Sequence, residues 1–157
     1  MYGLIEDLRI NLKARDWCRL PYPDHPKGCP NYNHKATCPP KVCLVSDYFD
    51  LTEPLYLVAV HFDLGTHIQR MLGTHPKWSK RQARCVLYWQ AGVNKGLAHE
   101  AQELCGFFRN GYGYTTCPEA MGVNVIATAQ VCGIPIQTKP TDTVYKVAFV
   151  GKLRGGC

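Results

Sequence analysis

A chain of 157 residues is long enough to bury a conventional apolar core without metal or disulfides as its only support, and 46% apolar against 19% charged residues excludes a disordered polymer. The formal charge of +6 suits nucleic acid, an acidic partner or a bound group of negative charge, and does not choose among them. The longest apolar runs, such as Leu55 to Val60, are too short to cross a bilayer, and Met1 to Asp7 lacks a basic region followed by an apolar stretch. The expectation is one cytoplasmic domain over 1–157 with no membrane association.

Asp7 to Lys13 alternates Leu8, Ile10 and Leu12 with polar neighbours, which predicts a half-buried strand. Residues 16–40 then lose all period, holding six prolines, three cysteines, Gly28, Asn31 and Asn33. A loop of that length inside a compact domain is usually functional or held by something other than a core. After Pro39-Pro40 a short helix is expected to about Asp50, with Val42, Val45 and Phe49 on one face. Leu55 to Asp63 is apolar on both faces and predicts a central strand, followed by a brief helix over 66–72 and a turn at Thr74-His-Pro.

Ser79 suits the N-cap of a long helix whose stripe runs through Val86, Trp89, Val93, Leu97, Ala101, Leu104 and Phe108. Gly92 and Gly96 weaken that helix and suggest close packing there, and Asn110-Gly-Tyr-Gly-Tyr ends it. A second helix is expected from Cys117-Pro118 to a C-cap near Gly133, then strands at 134–137 and 144–152. The fold class expected is mixed α/β, a small sheet covered by helices with a proline- and cysteine-rich metal-binding loop.

Nine cysteines in a chain expected to be cytoplasmic point to metal binding or thiol chemistry before disulfides. Cys18, Cys29 and Cys38 lie in the unpatterned loop at C-x10-C-x8-C, which is neither a two-residue zinc knuckle nor a compact ferredoxin run. Cys38 and Cys117 each precede a proline-initiated predicted helix, whose positive end would lower the thiol pKa and favour the metal-binding thiolate. These four are the expected ligands, with Cys43, Cys105 and His34 in reserve. Cys85, Cys105 and Cys132 sit on or beside apolar helix faces and suit core filling. Cys157, after Gly155-Gly156, reads as a frayed end. His25 and His34 flank Cys29, and an imidazole ligand would favour zinc or a mixed centre. His61, His67, His75 and His99 show no metal-pair spacing.

The loop Gly28-Cys-Pro-Asn-Tyr-Asn-His-Lys-Ala-Thr-Cys-Pro-Pro40 resembles a bacterial and archaeal family of predicted metal-binding proteins of unknown function, whose members carry C-P-x-Y-x4-to-5-C-P-P. Pro118-Glu-Ala-Met-Gly-Val-Asn-Val, continuing to Gly133-Ile-Pro135, is similar to that family's later E-A-x-G-I-D-V segment and the helix after it. The two matches cover about a fifth of the chain and bracket most of it. By that resemblance Cys29, Cys38 and Cys117 stand where family cysteines are presumed to bind metal. The chain departs from the family before the second segment, where a compact ferredoxin-like cysteine cluster is usual and only Cys105 and Cys117 occur. One centre is therefore expected.

Three functions are weighed. The first is a protein carrying one iron-sulfur cluster, 4Fe-4S favoured, for electron transfer, sulfur handling or support of an assembly, with a redox or assembly protein as partner. The second is a zinc-stabilised module binding nucleic acid through Lys77, Lys80, Arg81 and Arg84, with Trp78 and Tyr88 for stacking. The third is a small-molecule metalloenzyme using Cys43, His34 or Asp24 as proton carrier. The chain has no nucleotide-binding glycine loop, no G-x-S-x-G elbow and no H-E-x-x-H helix, so no enzymatic reaction is assigned.

Overall fold

The computed structural model describes residues 1–21, 26–108 and 111–155. Its four strands are β1 (Tyr2–Leu4), β2 (Leu55–Asp63), β3 (Tyr112–Thr115) and β4 (Thr143–Lys152), paired in the order β1-β2-β4-β3. Every ladder is antiparallel, with Val58 opposite Ala148 and Tyr114 opposite Val150. The helices are α1 (Val45–Tyr48), α2 (Leu64–Thr74), α3 (Lys80–Ala83), α4 (Gln90–Phe108) and α5 (Val125–Val131), with 3-10 turns at Leu12–Arg19, Val86–Tyr88 and Pro118–Met121. The expected mixed α/β class is thus the observed one.

The two central strands explain the layering. Successive side chains of a strand point to opposite faces, so Leu55, Leu57 and Ala59 of β2 join Val147 and Phe149 of β4 on one side. Val58, Ala148 and Val150 face the other. The first face is covered by Val45 and Phe49 around α1, by Met121 and Val123, and by Val125 and Ala129 of α5. The second lies under Leu97, Ala101 and Leu104 of α4, where Tyr56, Phe108 and Tyr112 form a continuous ring stack.

Several expected elements take a different form. Asp7 to Lys13 is not a strand: Ile10 makes one isolated bridge with Val123, and the Asn11 side chain accepts from Lys13 N at 3.1 Å to start a 3-10 helix. The helix expected after Pro39-Pro40 is confined to α1, since residues 38–42 are turns. The long helix from Ser79 does start there, with a capping box to Gln82, but it breaks after α3. At the break the Trp89 indole donates to Arg84 O at 3.3 Å and occupies a carbonyl that a continuing helix would have used. Space around Gly92 and Gly96 is open, so neither marks a close contact.

The helix expected over 117–133 is split at Gly122, which takes the left-handed φ of +88°, and is restarted by Asn124, whose side chain accepts from Ala127 N. Gly133 does follow its end, with φ +77°. Residues 134–137 form no strand; Ile136 N turns back onto Ile134 O at 2.8 Å while Ile134 is buried. Asn110 lies outside the described residues. No helix among the described residues is long and apolar enough to cross a membrane.

Phe149 is fully buried between the central ladder and the helical cover. Phe149→Ala is expected to lower unfolding free energy by about 3–5 kcal/mol in a denaturant titration; a loss below about 1 kcal/mol would contradict this placement of the core.

Candidate metal centre

The site is assembled from three segments far apart in sequence. Residues 9–11 are stitched to 122–124: Asn11 N donates to Gly122 O at 2.8 Å and Asn124 N to Arg9 O at 2.7 Å, while Arg9 N donates to Thr128 Oγ1 at 3.1 Å. This lays the 3-10 helix Leu12–Arg19, anchored by buried Ala14, against the turn Pro118–Met121. Cys18 near the end of one helix thereby comes within electrostatic reach of Cys117 at the start of the other.

The loop is then drawn onto Cys18. Cys29 N donates to Cys18 O at 2.7 Å, and Gly28, at φ +82°, lets the backbones approach so closely that a Cβ there would stand 2.6 Å from Cys18 O. Beyond Cys29 the chain folds back through Tyr32 N to Cys29 O, Asn33 N to Pro39 O at 2.7 Å and Cys38 N to Lys35 O. Arg15 ties this turn to the 3-10 helix by donating to Pro40 O at 3.1 Å and Val42 O at 2.8 Å. The Arg19 guanidinium lies over the Tyr32 ring at 5.8 Å, beside a cleft lined by Lys27, Gly28, Cys29 and His34.

Two of the expected ligands, Cys18 and Cys117, have thiols shifted by this corner. Burial pushes the Cys18 thiol up, and Cys29, Cys38, Glu119 and Cys117 push it further. Cys117 is also raised, first by burial and then by Glu119 and Cys38, against the lowering effects of its Thr116 contact and of Lys146. The residue as a whole is exposed, while its thiol lies on the crowded inner side. Glu119 is raised by burial, and Lys146 is lowered by burial while Cys117 and Glu119 oppose the change.

The Cys117 thiol is thus shifted up, against the lowering expected at a helix start. Its helix is a single 3-10 turn of four residues, too short to supply a useful positive end, and burial, followed by Glu119 and Cys38, raises the thiol pKa. No helix starts at Cys38 either. Among the described residues no three His, Cys, Asp or Glu side chains are set around a single ion position. Cys18 nevertheless lies within electrostatic reach of Cys29, Cys38 and Cys117, and Lys146 lies within reach of Cys117.

The reserve residues lie elsewhere or contribute little. Cys43 is disulfide-bonded, which removes it as a thiolate ligand or proton carrier, and packs against the main apolar cluster; Cys105 packs against the one beneath α4, while His34 is exposed in the loop. Cys132 also packs on the main cluster, and Cys85 caps the turn Val86–Tyr88 half-buried. Asp24, His25 and Cys157 fall outside the described residues. Of the basic group, Lys77 and Lys80 are exposed, and Arg84 donates to Pro140 O at 3.1 Å. Sequence reasoning missed Glu119, Lys146 and Arg15; Glu119 was discoverable as the acidic residue of the second motif, whereas nothing in the local sequence flags Lys146 on β4 or Arg15.

Two outcomes test this geometry. Gly28→Ala is expected to cost about 1–3 kcal/mol and to speed amide exchange at Cys29, because a side chain must part the two backbones; unchanged exchange would contradict the close approach. For Glu119, a raised carboxyl pKa means the fold is penalised once the group ionises, so its contribution is fully favourable below the ordinary carboxylate range and is lost as pH rises through the folded pKa. Glu119→Gln should therefore be more stable than the parent at neutral pH, with the difference vanishing in acid; equal melting temperatures at both would show that the carboxylate is well solvated. Comparison with protein-family models, curated proteins and solved structures finds no match to this chain.

Proposed function

We propose that this protein holds one iron-sulfur cluster, of the 4Fe-4S type, on the thiolates of Cys18, Cys29, Cys38 and Cys117. The observation that carries the reading is the closure of the proline-rich loop on Cys18, where Cys29 N donates to Cys18 O at 2.7 Å and Gly28 presses on the same carbonyl, while the 3-10 helix that ends beside Cys18 packs on the turn that follows Cys117. Four separate thiols that merely filled space would be expected among apolar neighbours. Here the loop that carries two of them has no apolar cluster of its own, and its order rests on backbone turns and on Arg15.

A cluster is favoured over a single zinc ion by the cysteine-proline pairs, since proline after a ligand recurs in cluster proteins. Cysteine followed by proline at Cys29, Cys38 and Cys117 restricts the backbone beside three of the ligands. The resemblance of 28–40 and 118–135 to a metal-binding family supports the same residues.

When bound, such a cluster supplies one-electron chemistry. The chain's own contributions are identifiable. Lys146 places a cation beside Cys117 and Glu119, which favours thiolates and offsets the cluster's negative charge. The stitch between 9–11 and 122–124 fixes the distance between two ligand segments, and Arg15 holds the third. Electron transfer or support of an assembly are the roles this arrangement suits.

Protein purified without oxygen is expected to be brown and to contain iron and acid-labile sulfide. Cys18→Ser, Cys29→Ser, Cys38→Ser and Cys117→Ser should each lose most of both, whereas Cys85→Ser and Cys132→Ser should retain them and alter stability instead. Colourless protein carrying one zinc per chain would overturn the cluster, and full iron retention in the four variants would overturn the ligand set.

A further inference from the structure

The net charge of the chain is confined to one region. Residues 64–99 contain Arg70, Lys77, Lys80, Arg81, Arg84 and Lys95 and no Asp or Glu, so the other 12 basic residues cancel the 12 acidic ones and this segment accounts for the whole +6. In the fold it comprises α2, α3, the turn Val86–Tyr88 and the first half of α4, with α3 packed on α2. The acidic residues that flank the segment in the chain are Asp63, which accepts from Thr66 N at the N-terminus of α2, and Glu100 in α4; the Asp142 backbone also meets Gly65 N. The other end of α2, which Lys77 and Lys80 follow, is about 16 Å from Asp63 along an 11-residue rise. Neither Lys77 nor Lys80 forms an ion pair among the described residues.

The same region carries an aromatic column. The His75 and Trp78 rings stack at 4.2 Å and 15°, and Trp78 meets Tyr88 at 5.1 Å and 33°. Tyr88 is 53% exposed, so the column ends on a ring that solvent reaches. The mounting is rigid: Trp89, next in the chain, stacks on Phe62 of β2 at 4.8 Å and bonds Arg84 O, while Arg84 is tethered to Pro140 O. A ring held this way presents a face at little entropic cost, and flanking lysines that lack carboxylate partners attract polyanions.

We propose that this surface binds single-stranded nucleic acid, a base stacking on Tyr88 at the end of the His75–Trp78 column while Lys77 and Lys80 meet the phosphate backbone. Single strands are favoured over duplex because the rings are the distinguishing feature, and only an unpaired base offers its face to them. An anionic membrane is the competing occupant, since Leu87 is 83% exposed beside the same cations. The apolar part of that turn is only Val86 and Leu87, whereas the column is three rings deep. The site is separate from the cysteine corner and does not depend on what is bound there.

The test is fluorescence anisotropy of the whole chain, as purified, with a labelled oligouridylate strand at about 50 mM salt, alongside the matching duplex and vesicles containing phosphatidylserine. The strand is expected to bind, and raising salt should weaken it. Lys77→Glu with Lys80→Glu should lower affinity by about tenfold or more, and Lys77→Gln with Lys80→Gln should flatten the salt slope by about 1.4. Tyr88→Ala should lower affinity by about fivefold or more while Tyr88→Phe retains it, a split that a general charge effect would not give. Circular dichroism checks that each variant is folded. Absence of strand binding, equal binding of duplex, preference for the vesicles, or indifference to the lysine and tyrosine changes would each overturn the proposal.

Discussion

Two backbone hydrogen bonds, Asn11 N to Gly122 O and Asn124 N to Arg9 O, organise the cysteine corner of this protein. They join a segment near the start of the chain to one more than a hundred residues later, and all else at the cysteine corner is arranged by reference to that join. It is supported from beneath by the core, since Met121, Val123 and Val125 enter the cluster that contains Leu57 and Phe149. Gly122 is indispensable to it, because its left-handed φ turns the chain while a Cβ would stand 3.0 Å from the Leu12 side chain. The central sheet therefore positions the site indirectly, through the helical cover on one face.

The cysteine loop is organised by different physics. Residues 26–42 contribute little to either apolar cluster and are held by turns, by Gly28 pressed against the Cys18–Arg19 backbone, and by the Arg15 guanidinium. Burial and mutual repulsion both disfavour thiolates there, with Lys146 opposing. A cationic metal group bound there would reverse that balance, because it would favour the thiolate over the thiol. Uptake of such a group would supply the loop with the cross-link that its sequence cannot supply through packing.

How much of this was legible in the sequence depended on the range of the interaction. β2 and most of β4 were readable because strands buried on both faces leave a continuous apolar run, and α4 was readable from Leu97, Ala101 and Leu104. Ser79, Asn124 and Gly133 act locally as caps, though only Ser79 and Gly133 were anticipated. The failures share a cause. Alternation at Leu8, Ile10 and Leu12 resembles a strand, but the partner that would have made it one pairs only through Val123, and Asn11 captures the backbone first. The Trp89 indole breaks a helix from five residues away, an effect no period reveals. Of the site, the cysteines were identifiable by their type and proline-rich context, while Lys146 and Arg15 reach it through tertiary structure alone.

Joint binding of one multi-iron group by Cys18, Cys29, Cys38 and Cys117, as proposed, is tested by X-ray absorption at the iron edge of protein purified without oxygen. All-sulfur coordination at each iron is expected, together with scattering from neighbouring irons. Isolated iron with nitrogen or oxygen donors, or metal present only as zinc, would contradict it.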